Sequence, residues 1–346
     1  MLYVTTRSRK EQYPALRTLG QNRAPDGGLY VPFRLPEYGA AAVAVLKEQP
    51  FGACVAEVLN RLFSLRMNGA DVDYTLGRAP VKLVSMNHRI HVAEMWHNPQ
   101  WRFDWAVSTL TRKMQSQSQL PVGVTEWAQI AVRIGILFAV FGELEKGGTL
   151  SENSTVDVAV NSGDFTRPMA VWYAREMGLP IGTIICGCSE NGAPWDLLHR
   201  GELRTNETAI SNDVGDAWAV PRGLERLIAG CLGTEEAERY CQVCRRGGIY
   251  APNPEQREAL QRGMFAAVIS RRRMERVISS VYRTHAYVLD PCASLAYAGL
   301  QDYRAMSGTG SMTLLLAEES PAGSAGVVSA ALGMTVQALH ECLEQA

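Results

Sequence analysis

The chain has no long run of lysine and arginine, and its 34 basic residues against 35 acidic ones leave a net charge of −1. Without a basic stripe there is no electrostatic footprint for a phosphate backbone, so nucleic acid is not an expected partner. The densest basic cluster, 271-RRRMER-276, is broken by Glu275 and reads as a solvated helix face. No apolar leader opens the sequence: MLYVTTRSRK lacks the hydrophobic region that export requires. The most apolar segment, 127-WAQIAVRIGILFAVFG-142, is interrupted by Arg133 and falls short of a membrane span. The expectation is a cytoplasmic chain with no membrane contact. Paired metal-binding cysteines are missing too. Cys241 and Cys244 form a lone CxxC with no second pair and no histidine nearby. The eight cysteines include several in apolar contexts such as 184-IICGCS-189, as suits small buried hydrophobes in a reducing compartment. Internal repeats and low-complexity tracts are absent.

What is present suits a large globular core: 346 residues, of which 47% are hydrophobic and 20% charged. Apolar periodicity predicts helices over 39–65, 125–146, 168–178, 221–232, 234–246, 254–281 and 291–305, with a further helix at the C-terminus. Short β-rich runs predict strands at 155–160, 181–187 and 312–317. The stretch 91-HVAEMWHNPQWRFDWAV-107 reads as a strand, a break at Asn98-Pro99, and a helix opened by Asp104. Strands alternating with helices imply an α/β fold with a mostly parallel central sheet covered by helices, and a site at the carboxyl ends of the strands. Trp127, Phe165, Trp172 and Tyr173 fall on apolar faces and belong to the core on this reading.

Four segments in order carry a family likeness: 3-YVTTRS-8, 25-PDGGLYVPFRLPEY-38, 157-DVAVNSGDFTRPMAVWYAREMGLPIGTIICGCSENG-192 and 288-VLDPCASLAYAG-299. Together they resemble threonine synthase, a fold-type II pyridoxal-phosphate lyase that makes threonine from O-phosphohomoserine. The resemblance implies an N-terminal segment, 1–80, packed on a main α/β domain, 81–346. It also implies a Schiff-base lysine in a block of the form E-x-x-H-G-P-T-x-x-F-K. Here that block runs Glu94, Met95, Trp96, His97, Asn98, Pro99, Gln100, Trp101, Arg102, Phe103, Asp104. The frame is kept and the lysine is an aspartate, which cannot form an aldimine.

Other positions depart in the same direction. The family's Gly-Asn-Phe-Gly phosphate turn corresponds to Gly163, Asp164, Phe165, Thr166, with Arg167 following, and the extra carboxylate opposes a dianion. Its Asn-Trp-Ala-Arg helix start corresponds to Glu126, Trp127, Ala128, Gln129, with Arg133 one turn later as a substitute charge. Its Thr-Ala-His-Pro turn corresponds to Glu318, Glu319, Ser320, Pro321. The family's small mobile domain has no counterpart either: 105–123 reads as a short polar linker, which leaves an open cleft.

Two functions follow as expectations. The first is a non-catalytic threonine synthase homologue, acting as a scaffold or partner subunit. The second is an enzyme of altered, pyridoxal-phosphate-independent chemistry, a lyase or related acid–base catalyst for a small amino-acid-like or cationic substrate. It would use an acidic cleft where Asp104, Glu126, Asp164 and Glu318 converge with His97. Asp104, His97 and Glu126 would be the catalytic candidates, and Glu94, Asp164, Thr166, Arg167, Gln129, Arg133 and Glu318 the ligand-binding ones. No cofactor is expected, although clustered carboxylates are a donor set that a divalent metal also accepts. The partner would be a small molecule or a protein, a second copy of the chain included.

Overall fold

The computed structural model describes residues 1–78, 80–97, 103–116, 125–148, 150, 154–163, 165–189, 192–205 and 223–344. A small antiparallel sheet of β1 (Leu2–Thr5), β2 (Tyr13–Pro14) and β3 (Tyr30–Pro32) opens the chain. The central sheet holds β4 (Lys82–Asn87), β5 (Ile90–Glu94), β6 (Val156–Asn161) and β7 (Ile181–Cys188). A minor ribbon pairs β8 (Leu203–Arg204) with β9 (Ile249–Tyr250), and the central sheet is completed by β10 (Met264–Val268) and β11 (Thr313–Ala317). The central order is β10-β7-β6-β11-β5-β4, parallel throughout except for the edge strand β4, which runs antiparallel to β5. The α/β class read from the sequence is the class observed.

Burial explains the sequence of the strands. All five residues of β5 and all five of β11 are buried, which is why TLLLA is a nearly unbroken apolar run. Alternation along them sorts side chains into two layers. Ala93, Met95, Leu314 and Leu316 face the layer of helices Phe51–Phe63, Glu126–Lys146 and Thr166–Glu176. Val92, Leu315 and Ala317 face that of Arg271–His285 and Pro291–Ser307.

Glu126–Lys146 is the spine of the first layer. At 21 residues it is long and apolar enough to cross a membrane, contrary to the shorter segment read from the sequence, and 89% of its most apolar window is buried within the fold. It starts where Thr125 accepts a hydrogen bond from the Ala128 amide, while the Thr125 hydroxyl donates to the Thr18 carbonyl. Trp127, Phe165, Trp172 and Tyr173 are all buried.

Two further readings change. The predicted helix over 254–281 is two helices, Pro254–Gln261 and Arg271–His285, separated by β10. The strand's MFAAV is too short to show a period of its own between helical neighbours. Residues 105–116 are not linker but most of the helix Phe103–Ser116, which buries Ala106, Val107, Leu110 and Met114. The polar residues that suggested a linker occupy its outer face, and 117–123 lie outside the described residues.

The N-terminal segment is tied to the main body by polar contacts. Trp127 Nε1 donates to the Tyr3 hydroxyl at 3.0 Å, and that hydroxyl donates to the Leu62 carbonyl at 2.9 Å. Glu225, on the helix Leu224–Leu232, receives Thr6 and Arg7 and pairs with Arg23.

Gly187 on β7 sets how close Pro291–Ser307 lies, since a Cβ there would stand 2.1 Å from the Leu295 carbonyl oxygen. Gly187→Ala should therefore lower the unfolding free energy by about 3 kcal/mol through overpacking against backbone. The urea midpoint reports this at unchanged slope. An unaltered midpoint would mean that the helix is not held that close.

Candidate functional site

The chain leaves β5 and returns to the sheet two strands away at β6, and β11 later fills the gap between them. The carboxyl ends of β5, β11 and β6 thus meet at a topological switch point, where open α/β sheets place their ligands. Glu94 ends β5, Asn161 ends β6, and Glu318 and Glu319 follow β11 directly.

In the first layer a four-membered ionic network fills this place. Arg133 Nε donates to Glu318 Oε1 at 2.8 Å, and its Nη2 donates to Glu318 Oε2 at 2.9 Å and to Asp104 Oδ1 at 2.8 Å. Arg167 Nε donates to Glu318 Oε2 at 2.8 Å, and its Nη2 lies 3.9 Å from Asp104 Oδ2. Two guanidiniums balance two carboxylates. Glu318 and Arg133 are buried, whereas the Asp104 side chain is 63% exposed. Burial alone would raise the Glu318 carboxyl, but the attraction of Arg133 and Arg167 and their hydrogen bonds bring it down to about 2. Arg133 is likewise held charged: burial disfavours its cation, and Glu318 more than offsets that.

Among the described residues a cavity of about 10 Å³ lies beside the network, lined by Met95, Phe103, Ile136 and Leu137. That is the room of a single water sphere. Arg133 Nη1 is buried and meets no acceptor among the described residues. Arg133 and Arg167 reach in from two helices to meet Glu318.

A second group lies in the other layer, since Glu94 shares the side of β5 that Val92 presents. Glu94 is buried, accepts from the Tyr287 hydroxyl at 2.6 Å through Oε1, and bonds His97 Nε2 through Oε2. His97 is 36% exposed and stacks on Trp96 with ring centroids 5.4 Å apart. Burial and Glu94 together push the Tyr287 phenol well up, so it stays a proton donor.

The predicted site residues are therefore divided. Asp104, Arg133, Arg167 and Glu318 are brought together. His97 and Glu94 pair with each other and with Tyr287, in the other layer. Glu126 does not converge with Asp104 and Glu318. It lies two turns before Arg133, roughly 10 Å along the helix, and pairs with the buried Arg226. Gln129 lies one turn before Arg133 and is half-buried, and Thr166 is buried at its helix start. Asp164 lies outside the described residues. Arg133 and Arg167, singled out with the acids from the sequence, offset Asp104 and Glu318 in a charge-balanced network, through pairings between positions distant in the chain that local sequence does not mark. Tyr287 was missed for the same reason: it stands 193 residues from Glu94, and only its place before 288-VLDPC-292 marks it.

Comparison with known proteins agrees with this architecture. Residues 2–79 match the family described as threonine synthase N terminus. Threonine synthase-like 1 of Homo sapiens is 26% identical over 183 residues, and that of Mus musculus 29% over 175. Each match covers 49% of this chain but only 23% of the relative, so the likeness spans about a quarter of those longer proteins. Threonine synthase of Brucella melitensis, solved with PLP bound, superposes with a TM-score of 0.83 at 18% identity, covering 96% of this chain and 92% of its own. The yeast enzyme gives 0.79 at 17% identity, covering 96% and 90%. The fold of the chain is thus that of the threonine synthases.

The network makes two tests. Arg133→Met leaves the buried Glu318 carboxylate with Arg167 alone and should cost about 3 kcal/mol, whereas Asp104→Asn, at an exposed end, should change stability by under about 1 kcal/mol. Equal effects in chemical denaturation would contradict the geometry. The pH dependence follows from the depressed Glu318 carboxyl. Its contribution is fully present above the ordinary value of 4.5 and is lost as pH falls through about 2. Glu318→Gln should flatten the acid limb of the stability curve within that window, and an unchanged limb would refute the assignment.

Proposed function

We propose that this chain, with its threonine synthase-like N-terminal segment and fold, performs no pyridoxal-phosphate chemistry and acts as a non-catalytic scaffold or partner subunit. The observation that carries this reading is the Asp104–Arg133–Glu318–Arg167 network at the switch point. A pyridoxal ring needs an amine to condense with and a slot to lie in. Asp104 stands at the position that corresponds to the amine, and it is paired with Arg133, which with Arg167 also holds Glu318. These residues do not offer the amine that the cofactor needs.

The five lysines of the chain give no substitute. Lys47 pairs with Glu145, Lys113 with Asp71 and Lys146 with Glu143; Lys10 is exposed in the N-terminal segment, and Lys82 is exposed on edge strand β4. Fold alone does not confer the family's reaction, and here the surroundings favour a packed, neutral core over a reactive pocket.

The Glu94–His97–Tyr287 chain favours a second reading, a catalyst independent of pyridoxal phosphate. A partly exposed imidazole, oriented by a buried carboxylate that a phenol also holds, is an arrangement suited to acid–base work. On that reading a small amino-acid-like or cationic ligand binds beside His97. Thermal-shift screening of such ligands on the wild type and His97→Ala separates the two: a stabilising ligand lost in His97→Ala favours the catalyst, and none favours the scaffold.

The main reading has a direct test. Purified chain mixed with pyridoxal phosphate should give no aldimine absorption and no adduct after borohydride reduction and mass analysis. Asp104→Lys alone should also fail to make threonine from O-phosphohomoserine, because the new amine would face the Arg133 and Arg167 guanidiniums. A reduced lysine adduct in the wild type, or turnover by Asp104→Lys, would overturn it.

A further inference from the structure

Glu318 and Glu319 are neighbours in sequence, and strand alternation sends them to different layers. Glu319 turns toward the start of the helix Pro291–Ser307, where Asp290 and Cys292 stand. One carboxylate oxygen from each acid and the Cys292 sulfur lie within 4.8 Å of one another. This cluster is separate from the ionic network and from the Glu94–His97–Tyr287 chain.

Asp290 distinguishes it from an ordinary acidic patch. The residue is 1% exposed. Its Oδ1 caps the helix, accepting from the Cys292 amide at 2.7 Å and the Ala293 amide at 3.1 Å. Its Oδ2 is buried with no hydrogen-bond partner among the described residues. A buried carboxylate oxygen left without a partner is costly, and that cost is removed by a proton or by a cation. Oδ1 is committed to the helix, so Oδ2 is the oxygen with lone pairs to give.

We propose that Asp290, Cys292 and Glu319 form a binding site for one divalent ion of the zinc class. A thiolate with two carboxylates is a donor set for a borderline ion such as zinc or cobalt(II), and it is poorly matched to calcium or magnesium, which take oxygen alone. The spacing agrees. Cys292 Sγ lies 3.6 Å from Glu319 Oε1, and a tetrahedron with ordinary zinc–sulfur and zinc–oxygen bonds has an S···O edge of about 3.6 Å. The surroundings supply what such a site needs around its ligands. The Asn161 side chain hydrogen-bonds Cys292, and the charge of Arg167 also acts on that thiol. Three anionic ligands and one divalent cation leave a single negative charge, which the nearby positive charge of Arg167 favours.

Without an ion, Asp290 and Cys292 favour their protonated forms. Burial and Glu319 push the Asp290 carboxyl up to about 7, and burial, Asp290 and Glu319 push the Cys292 thiol up to about 12. Ion binding displaces the thiol proton, and the carboxyl proton where one is present, into the buffer. The site does not depend on whether the chain is a catalyst, because it uses none of the residues assigned to either reading.

The test uses the full-length chain, stripped with a chelator and titrated with cobalt(II) and then with zinc. We expect uptake of a single equivalent, a thiolate-to-cobalt charge-transfer absorption, proton release, and loss of the absorption as zinc displaces cobalt. Cys292→Ala should abolish the absorption and weaken binding by on the order of a hundredfold, and Glu319→Gln by at least about tenfold. Both substitutions leave the Asp290 cap in place, so they test ligation without removing the helix start. Cys342→Ala, at the thiol beside Tyr282 on the helix Val336–Glu344, should change nothing. Absence of stoichiometric uptake, or uptake that Cys292→Ala leaves unchanged, would overturn the proposal and leave Asp290 as a carboxyl neutralised by a proton.

Discussion

The buried contact between Glu318 and Arg133 constrains the structure around it more than any other. A carboxylate at the end of a fully buried strand is tolerated only if a cation is delivered to it with good geometry. Arg133 provides two parallel hydrogen bonds from the middle of the longest core helix, and Arg167 adds a third from the start of another. The register of Glu126–Lys146 against the sheet, the entry of Thr166–Glu176 and the end of β11 are therefore fixed by one pair of oxygens. Such a pair adds little net stability compared with an apolar replacement. Its effect is to allow one arrangement of the three elements.

Alternation along β5 and β11 then divides the remaining polar groups. Glu94 and Glu319 belong to one layer and Glu318 to the other, although all stand at the same end of the sheet. A threonine synthase fold offers one crevice at this position by its topology. This chain distributes its ionisable groups around that crevice in three small sets, each with its own partners.

The fold was largely legible in the sequence because it rests on patterns confined to short windows. The apolar runs of β6, β7 and β11 and the long period of Glu126–Lys146 are visible without knowledge of contacts. The failures came where a window was too short or too polar. MFAAV at 264–268 has five residues between helical stretches, and the polar outer face of Phe103–Ser116 concealed its buried one. The site was legible residue by residue but not as an arrangement. Asp104, Arg133, Arg167 and Glu318 could be singled out by motif position. Whether Glu126 joined them depended on two helical turns and on Arg226, about 100 residues away. Charge pairing over such separations is decided by the fold and leaves no local mark in the sequence.

The fastening of the N-terminal segment has a consequence for how the chain comes into being. Thr6 bonds Glu225 across 219 positions, and Tyr3 receives the indole of Trp127 across 124. During synthesis β1 leaves the ribosome well before Trp127 and Glu225 are made. Until then its buried residues, Tyr3 and Val4 included, rest on the small sheet shared with β2 and β3 and on nearer segments such as that of Leu62. Closing loops of that length also delays the final docking after the chain is complete. A strand made early is thus among the last to be fully secured, and during that interval the nascent chain depends on whatever shields its uncovered apolar face in the cell.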